Sequence, residues 1–213
     1  MTVRLDAWTD YTCPFCFLAT LSLERLQQDT QAELHWRAFL LRPAQAPLAP
    51  EVHAMVEKEH VRVKELARSQ HGLALNPGPI GIGTREAHLV TKYAASHYRG
   101  NEFHFAAMKA YWLEGRSLED QSVLQDIAEQ VGLNREGVLE ALENRSLAAA
   151  VDADRMQAAN REISGVPAVV FNSKYILAGA QPYAVFKRLH DQVRDQAREA
   201  ELRHTQRRAQ AGD

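Results

Sequence analysis

Cysteine is scarce in this chain, because only two cysteines occur among 213 residues and both lie in one short segment, at Cys13 and Cys16. A structural zinc site usually takes four nitrogen or sulfur ligands at recognisable spacing. The sequence has no second Cys-x-x-Cys and no histidine pair at zinc-finger spacing, so zinc would need distant histidines. We therefore predict no metal site.

Long apolar runs and a large net charge are also lacking. No segment approaches the roughly 20 apolar residues that cross a bilayer, and the first ten residues hold two acids and no apolar signal region. The net charge of −2 gives no electrostatic reason to expect a nucleic-acid or anionic-membrane partner. We expect a cytoplasmic protein, and in a reducing cytosol a cysteine pair is more often catalytic than a static disulfide.

The first forty residues have the pattern of a strand, a helix and a second strand. Apolar and polar residues alternate over 3–8 and again over 34–40. Between them, Pro14 suits the first turn of a helix, where its missing N–H has no partner to lose. Such an order is compatible with two parallel strands joined by a helical crossover.

The apolar spacing becomes helical from Glu51 to about Ser164. The stretch from Ser117 to Asp120 resembles a capping box, which places a hydroxyl at a helix start and a carboxylate three residues on. The pattern predicts helices over 51–71, 84–98, 101–113, 119–131, 135–143 and 146–162.

Strand character returns at 166–171 and 175–177, with a turn at Asn172 and Ser173 that indicates a hairpin. Pro182 then opens a last helix that runs into a charged tail, which we expect to be a solvated extension. Without the helical block the order is β-α-β-α-β-β-α, so we predict an α/β fold of the thioredoxin type with an all-helical insertion. The predicted parts are the thioredoxin domain over 1–45 and 146–190, the insertion over 46–145, and a C-terminal helix extension over 191–213.

The Cys-Pro-Phe-Cys segment has the features of a redox pair. With Pro14 opening the helix, Cys13 lies at its N-terminus, where unpaired N–H groups and the helix dipole favour a thiolate. Cys13 is then the exposed nucleophile, and Cys16, one turn further in, is the resolving thiol. Phe15 offers the thiolate no donor or positive charge, so we expect a less oxidising pair than one with histidine there. The alternative is two buried cysteines that only pack.

A second feature supports reactivity, namely Val166-Pro167 at the start of a predicted strand. In the thioredoxin layout this proline faces the cysteine pair. We predict a cis Val166–Pro167 bond, although only about 5–6% of such bonds are cis. That geometry leaves the Val166 backbone available to pair with an extended substrate near Cys13.

Four motifs together resemble the DsbA family of thioredoxin-fold oxidoreductases, and more narrowly its FrnE-like branch of bacterial cytosol. They are Asp10-Tyr-Thr-Cys-Pro-Phe-Cys16, Thr84-Arg-Glu-Ala-His88, Ser164-Gly-Val-Pro167 and Gly179-Ala-Gln-Pro182. The resemblance implies a thioredoxin domain whose helical insertion caps the active site. It also implies thiol–disulfide exchange or isomerisation, with Cys13, Cys16 and Pro167 as the core residues.

The sequence departs from that family in ways that bear on mechanism. Ala7 stands where related proteins carry a buried acid, so proton transfer at Cys16 needs another group or water, with Asp10 a candidate. FrnE-like members often have tryptophan where this chain has Phe15, and the second cysteine pair of some members is missing. His88 matches a family histidine that could bind substrate or stabilise the Cys13 thiolate. The simpler alternative is a packed or solvated helix histidine.

The leading functional hypothesis is a thiol–disulfide oxidoreductase acting on protein or small-molecule disulfides, as a monomer or homodimer. No cofactor is expected to be bound, and glutathione is a candidate redox partner or co-substrate. We expect five residues to contact substrate, namely Pro14, Phe15, His88, Val166 and Pro167. The apolar neighbours Tyr11, Phe15 and Phe17 point weakly to an unfolded or aromatic partner.

Two other functions fit the same motifs. One is a glutathione-dependent isomerase or transferase like the 2-hydroxychromene-2-carboxylate isomerases and kappa-class transferases, which carry serine where this chain has Cys13 and need no resolving thiol. The other is a redox-sensing adaptor whose disulfide state alters binding.

Overall fold

A computed structural model describes residues 2–42 and 47–211, with side chains described through Arg207. The predicted domain boundary between residues 45 and 46 falls outside these ranges. The elements are β1 (Arg4–Thr9), α1 (Pro14–Thr30), β2 (Glu33–Ala38), α2 (Pro50–His71), α3 (Arg85–Ser96), α4 (Gly100–Trp112), α5 (Gln121–Gln130), α6 (Arg135–Glu143), α7 (Arg145–Asn160), β3 (Ala168–Phe171), β4 (Tyr175–Ala178) and α8 (Tyr183–Ala211).

The four strands form one mixed sheet in the order β2-β1-β3-β4. β1 and β2 are parallel, whereas β3 is antiparallel to both β1 and β4. Leu5 therefore lies between Leu34 on one side and Phe171 on the other. Helices α2 to α6 occur between β2 and α7, which is the predicted thioredoxin order with an all-helical insertion.

The β3–β4 hairpin turns through two residues with positive φ, Asn172 at 45° and Ser173 at 58°. Asparagine tolerates this left-handed region better than most residues because its short polar side chain can bond locally. Here the Asn172 side-chain oxygen accepts a hydrogen bond from the Arg4 backbone N–H at 2.8 Å. The turn predicted at this position is therefore confirmed, and it is also tied to the start of β1.

The predicted capping box at Ser117 is wrong. Helix α5 begins at Gln121, and its N-cap is Asp120, whose side chain accepts from the Ser122 backbone N–H at 2.8 Å. An aspartate is as good a cap as serine, and the residues from Ser117 to Asp120 form the turn that precedes the helix. The predicted strand start at Val166 is also two residues early, because β3 begins at Ala168.

Two large groups of buried side chains stabilise the fold. One fills the space between the sheet and helices α1 and α8, and it includes Leu5, Leu23, Phe171 and Phe186. The other fills the interior of the insertion, and it also includes four residues of the cysteine segment, namely Tyr11, Cys13, Cys16 and Phe17. The cysteine segment therefore belongs to the core that joins the insertion to the sheet.

No helix within the described ranges is both long and apolar enough to cross a membrane.

Helix α7 is fixed to the sheet by a buried ionic network around Asp154, whose side chain is 2% exposed. Its carboxylate accepts from the Ala38 backbone N–H at 2.8 Å and from Arg37 at 3.0 Å, and it is paired with Lys92. The Trp8 indole N–H donates to the Asp154 backbone carbonyl at 2.9 Å. One aspartate thus connects β1, β2, α3 and α7.

We expect Asp154→Ala to lower the free energy of unfolding by about 3–5 kcal/mol, because removal of one partner leaves buried charges uncompensated. Urea unfolding followed by circular dichroism measures the change. Asp152→Ala is the matched control on the same helix, since the Asp152–Arg85 pair is half-exposed and such surface pairs contribute up to about 1 kcal/mol. Equal losses in the two variants would contradict the structural role given to Asp154.

Candidate active site

The cysteine segment is a tight turn between β1 and α1. The Cys13 N–H donates to the Asp10 carbonyl at 3.1 Å, which closes the turn. Cys13 is the N-cap of α1, with an extended backbone (φ −80°, ψ 114°), and Pro14 takes the first helical position. The residue order therefore places a sulfur where a helix presents unpaired N–H groups.

The sulfur of Cys13 accepts a hydrogen bond from the Cys16 backbone N–H at 3.3 Å. Both cysteines are free thiols in this structure. Cys16 is fully buried, and Cys13 is 5% exposed, which is less open than predicted for the nucleophile. The Cys13 sulfur is therefore one of the acceptors for the N–H groups that a helix N-terminus leaves unpaired.

Burial raises the pKa of the Cys16 thiol well above its usual value, and the neighbouring Cys13 side chain raises it further. The backbone N–H of Asp10 acts in the opposite direction, whereas the charge of the Asp10 carboxylate again raises the pKa of Cys16. Cys16 is therefore protonated near neutral pH, as a resolving thiol that waits for its partner must be.

The Val166–Pro167 peptide bond is cis, and it lies beside the cysteine pair. The Cys13 thiol donates to the Val166 carbonyl at a sulfur–oxygen distance of 3.6 Å. The Pro167 carbonyl in turn accepts from the Gly179 N–H at 2.8 Å, which fixes this loop to the end of β4. The two predicted residues on this side of the site are thus brought to Cys13.

Pro14 and Phe15 are half-buried at the outer side of the turn. The Arg62 guanidinium of α2 lies 5.7 Å from the centre of the Phe15 ring. A groove of about 310 Å³ borders Val166 and Pro167 and includes Ile176 of β4. Tyr11 and Phe17 are fully buried, so of the three aromatic neighbours only Phe15 is placed to meet a partner.

His88 does not reach the surface, because it is 3% exposed and its ring centre lies 4.9 Å from that of Tyr11. Burial lowers the pKa of His88 to about 3, so it is neutral and supplies no positive charge to the Cys13 thiolate. This placement matches the alternative of a packed helix histidine, and contact of His88 with substrate stays a prediction. A helical pattern gives the face of a residue but not the depth to which neighbouring helices cover it.

A polar network that no sequence motif indicated surrounds Tyr11. The Tyr11 hydroxyl is hydrogen-bonded to Thr91 and lies 3.1 Å from His104 Nδ1. The Trp112 indole N–H donates to the Tyr11 carbonyl at 2.9 Å. These partners come from α3 and α4, so the insertion holds the turn from behind. Thr91, His104 and Trp112 form no sequence motif, so their contacts with Tyr11 could not be predicted from the sequence.

The Asp10 carboxylate, noted in the sequence only as a candidate for proton transfer, is 1% exposed and accepts four hydrogen bonds. Its donors lie in the turn itself, after β2, and at the start of α3. Among the residues that the structure describes, no three metal-binding side chains are grouped closely enough to hold an ion.

The family model for the DSBA-like thioredoxin domain matches residues 4–191. Among curated sequences, the chain is 28% identical to the uncharacterized protein YwbO of Bacillus subtilis (strain 168), over 68% of this chain and 74% of YwbO. It is 25% identical to the 2-hydroxychromene-2-carboxylate isomerase of Sphingobium xenophagum, over 78% of this chain and 88% of the isomerase.

Solved structures with the same fold include the probable DsbA oxidoreductase SCO1869 from Streptomyces coelicolor. The two share a TM-score of 0.77 and 25% identity, over 90% of this chain and 89% of that protein. The cytosolic disulfide reductase DsbM from Pseudomonas aeruginosa, solved with GSH, has a TM-score of 0.65 and 18% identity, over 94% and 99% of the two chains.

We expect iodoacetamide at pH 7 to modify Cys13 well before Cys16, because burial and the raised pKa of Cys16 keep that thiol protonated and covered. Peptide mass mapping over time measures both rates. Cys16→Ser is the control, in which iodoacetamide should still modify Cys13 at the same rate. In Cys13→Ser the remaining cysteine should be modified only slowly. Equal rates at the two cysteines would contradict the assignment of roles.

The buried His88 should make stability depend on pH. The unfolded chain protonates this imidazole near pH 6.5 and the folded chain only near 3, so protonation within that window favours unfolding. Stability is fully present above pH 6.5 and falls as the pH falls towards 3, by up to about 1.4 kcal/mol per pH unit for one such proton.

Urea unfolding at a series of pH values tests this for His88→Gln, in which the slope between pH 6 and 4 should be shallower. His97→Gln, at the exposed histidine that follows the same helix, is the matched control, and the slope should change more in His88→Gln than in this variant. An unchanged slope in His88→Gln would show that His88 is protonated equally in both states.

Proposed function

The chain belongs to the DSBA-like thioredoxin domain family of oxidoreductases and isomerases, and from that premise we propose that it is a thiol–disulfide oxidoreductase working through Cys13 and Cys16. The single observation that carries this proposal is the Cys13 sulfur at the N-cap of α1, bonded by the Cys16 N–H. A thiol that only packs has no need of that position.

In the proposed reaction, the Cys13 thiolate attacks one sulfur of the substrate disulfide. A bond forms between Cys13 and that sulfur, the substrate bond breaks, and the departing thiolate takes up a proton. Cys16 then loses its proton and attacks the Cys13 sulfur, which releases the second substrate thiol. The substrate gains two electrons and two protons, and the enzyme is left with a Cys13–Cys16 disulfide.

The Val166 carbonyl supports this sequence of steps. It accepts from the Cys13 thiol at 3.6 Å, and that donor is lost once Cys13 is ionised or bonded to substrate. The carbonyl then has a free lone pair for a substrate N–H, as in strand addition. We propose that substrate binds in an extended form along Val166 and Pro167, with Pro14 and Phe15 on the opposite side.

Glutathione is the proposed thiol that returns the enzyme to its reduced form. Two glutathione thiols supply the two electrons and leave as glutathione disulfide. The disulfide reductase DsbM, which has the same fold, has been solved with GSH, and this supports glutathione as a partner by analogy only. A protein or a small molecule with a disulfide is the proposed substrate class.

Isomerase chemistry is the second candidate, because the 2-hydroxychromene-2-carboxylate isomerase is similar over 78% of this chain. In such a reaction a glutathione-dependent isomerase needs no resolving thiol. Replacement of Cys16 therefore distinguishes the two functions, because only the oxidoreductase depends on it. Reduction of insulin by the protein would in turn argue against a purely redox-sensing adaptor.

We expect Cys16→Ser to stall as a mixed disulfide with glutathione when mixed with glutathione disulfide, because the protein then has no second thiol of its own to release it. Intact-protein mass spectrometry detects the adduct, and insulin reduction measures turnover. Cys13→Ser is the matched control and should form no adduct. If Cys16→Ser turned over as well as the unmodified protein, the oxidoreductase proposal would be wrong and the isomerase candidate favoured.

A further inference from the structure

The first ten residues of α2, residues 50–59, are all exposed or half-buried, and we call this segment the overhang. The second half of the helix packs on the interior, and its buried residues are His60, Val63 and Ala67. Val52 and Met55 of the overhang are 39% and 59% exposed. Two large apolar side chains are therefore open to solvent on a segment that has no buried residue of its own.

The apolar residues of the overhang lie on the same face of α2 as its buried residues. In an α-helix, residues three and four positions apart are neighbours on one face. Val52, Val56 and His60 therefore succeed one another at steps of four. Val63 continues this row, and Met55 borders it three residues after Val52. The face that packs on the interior from His60 onward thus continues, without burial, through the overhang.

Helices α1 and α2 lie side by side and run in the same direction. The Arg62 guanidinium lies 5.7 Å from the ring centre of Phe15, in the first turn of α1. Further along the two helices, Gln70 of α2 and Leu21 of α1 line one cavity. Because a helix rises about 1.5 Å per residue, these two levels are separated by about 12 Å along α2 and about 9 Å along α1. The overhang therefore extends beyond the N-terminus of α1.

The Cys13 sulfur lies at that N-terminus, so the overhang borders the space from which a substrate disulfide reaches it. Counted back from Arg62, Met55 is about 10 Å and Val52 about 15 Å further along the helix axis. An extended polypeptide advances about 3.3 Å per residue, so substrate residues about three to five positions from a cysteine bonded to Cys13 reach the apolar face of the overhang.

We propose that the overhang is a docking surface for the polypeptide of a protein substrate, in which Val52, Met55 and Val56 bind apolar side chains that flank the substrate cysteine. This inference rests on the proposed oxidoreductase function and narrows its substrate class from any disulfide to protein disulfides. Met55 suits such a surface, because the flexible methionine side chain adapts to apolar partners of different shape.

The chemistry of the overhang favours a polypeptide over glutathione disulfide. Its charged residues are three glutamates and one lysine, namely Glu51, Glu57, Glu59 and Lys58. Glutathione disulfide is itself anionic, and it has no apolar side chain to place against this face. A partly unfolded protein presents apolar side chains, and their removal from water at the overhang is favourable.

The test compares Met55→Gln with Val61→Gln. Val61 lies nine residues after Val52, two and a half turns along, which places it on the opposite face of the helix. It is 60% exposed, against 59% for Met55, so the two substitutions alter equally exposed positions. The kcat/KM of each variant is measured with insulin as the protein disulfide and with glutathione disulfide as the small one.

We expect Met55→Gln to lower kcat/KM for insulin about three- to tenfold, because part of the burial of one methionine side chain is lost. Its kcat/KM for glutathione disulfide should stay unchanged, and Val61→Gln should leave both values unchanged. Val52→Ala is a second variant on the apolar face and should give the same pattern as Met55→Gln. An unchanged insulin value, or equal losses with the two disulfides, would overturn the proposal.

Sedimentation velocity tests whether a second copy of the chain covers the overhang instead. The unmodified protein and Met55→Gln should have the same oligomeric state. A dimer that Met55→Gln dissociates would overturn the proposal, because the apolar face would then belong to an interface between copies.

A binding measurement separates this inference from the proposed function. If neither disulfide is exchanged, the oxidoreductase proposal fails, whereas binding of alkylated insulin B chain that carries a fluorophore still tests the overhang. Fluorescence anisotropy should show weaker binding to Met55→Gln than to Val61→Gln. Equal binding by the two variants, or no binding to the unmodified protein, would show that the overhang is not a docking surface.

Discussion

The backbone N–H of Cys16 bonds to the sulfur of Cys13 across the first turn of α1, and the arrangement of the site depends on this contact. It requires Cys13 to be the N-cap, which in turn requires β1 to end at Thr9 and Pro14 to begin the helix. The sulfur thereby becomes one of the acceptors that a helix N-terminus needs. The position of the Cys13 sulfur is therefore a property of the strand–helix junction as a whole.

The insertion supports the cysteine turn through buried contacts. The Trp112 indole N–H donates to the Tyr11 carbonyl, and the Thr84 hydroxyl donates to the Asp10 carboxylate. His88 packs on the Tyr11 ring. Burial keeps the histidine and the tyrosine neutral at physiological pH. Thus neither side chain adds a charge to the interior behind the turn.

Sequence patterns predicted the elements well where a local signal was strong. Pro14, the alternation in β1 and the turn at Asn172 each specify backbone geometry within a few residues. The predicted cap at Ser117 was wrong because two acceptable cap residues, Ser117 and Asp120, lie three residues apart, and the helix begins after the second. His88 was on the predicted helix, but its depth depends on contacts with distant residues that no pattern encodes.

The sequence by itself determined that two thiols lie one helical turn apart at a helix start, and that a thioredoxin order surrounds an all-helical block. These follow from local propensity and from hydrophobic periodicity, which act over a few neighbouring residues. Tertiary structure alone decided that Val166 meets the Cys13 sulfur and that Asp10 is enclosed by donors from three segments. Such contacts join residues up to 153 positions apart, and only the packing of the folded chain against itself brings them within hydrogen-bond distance.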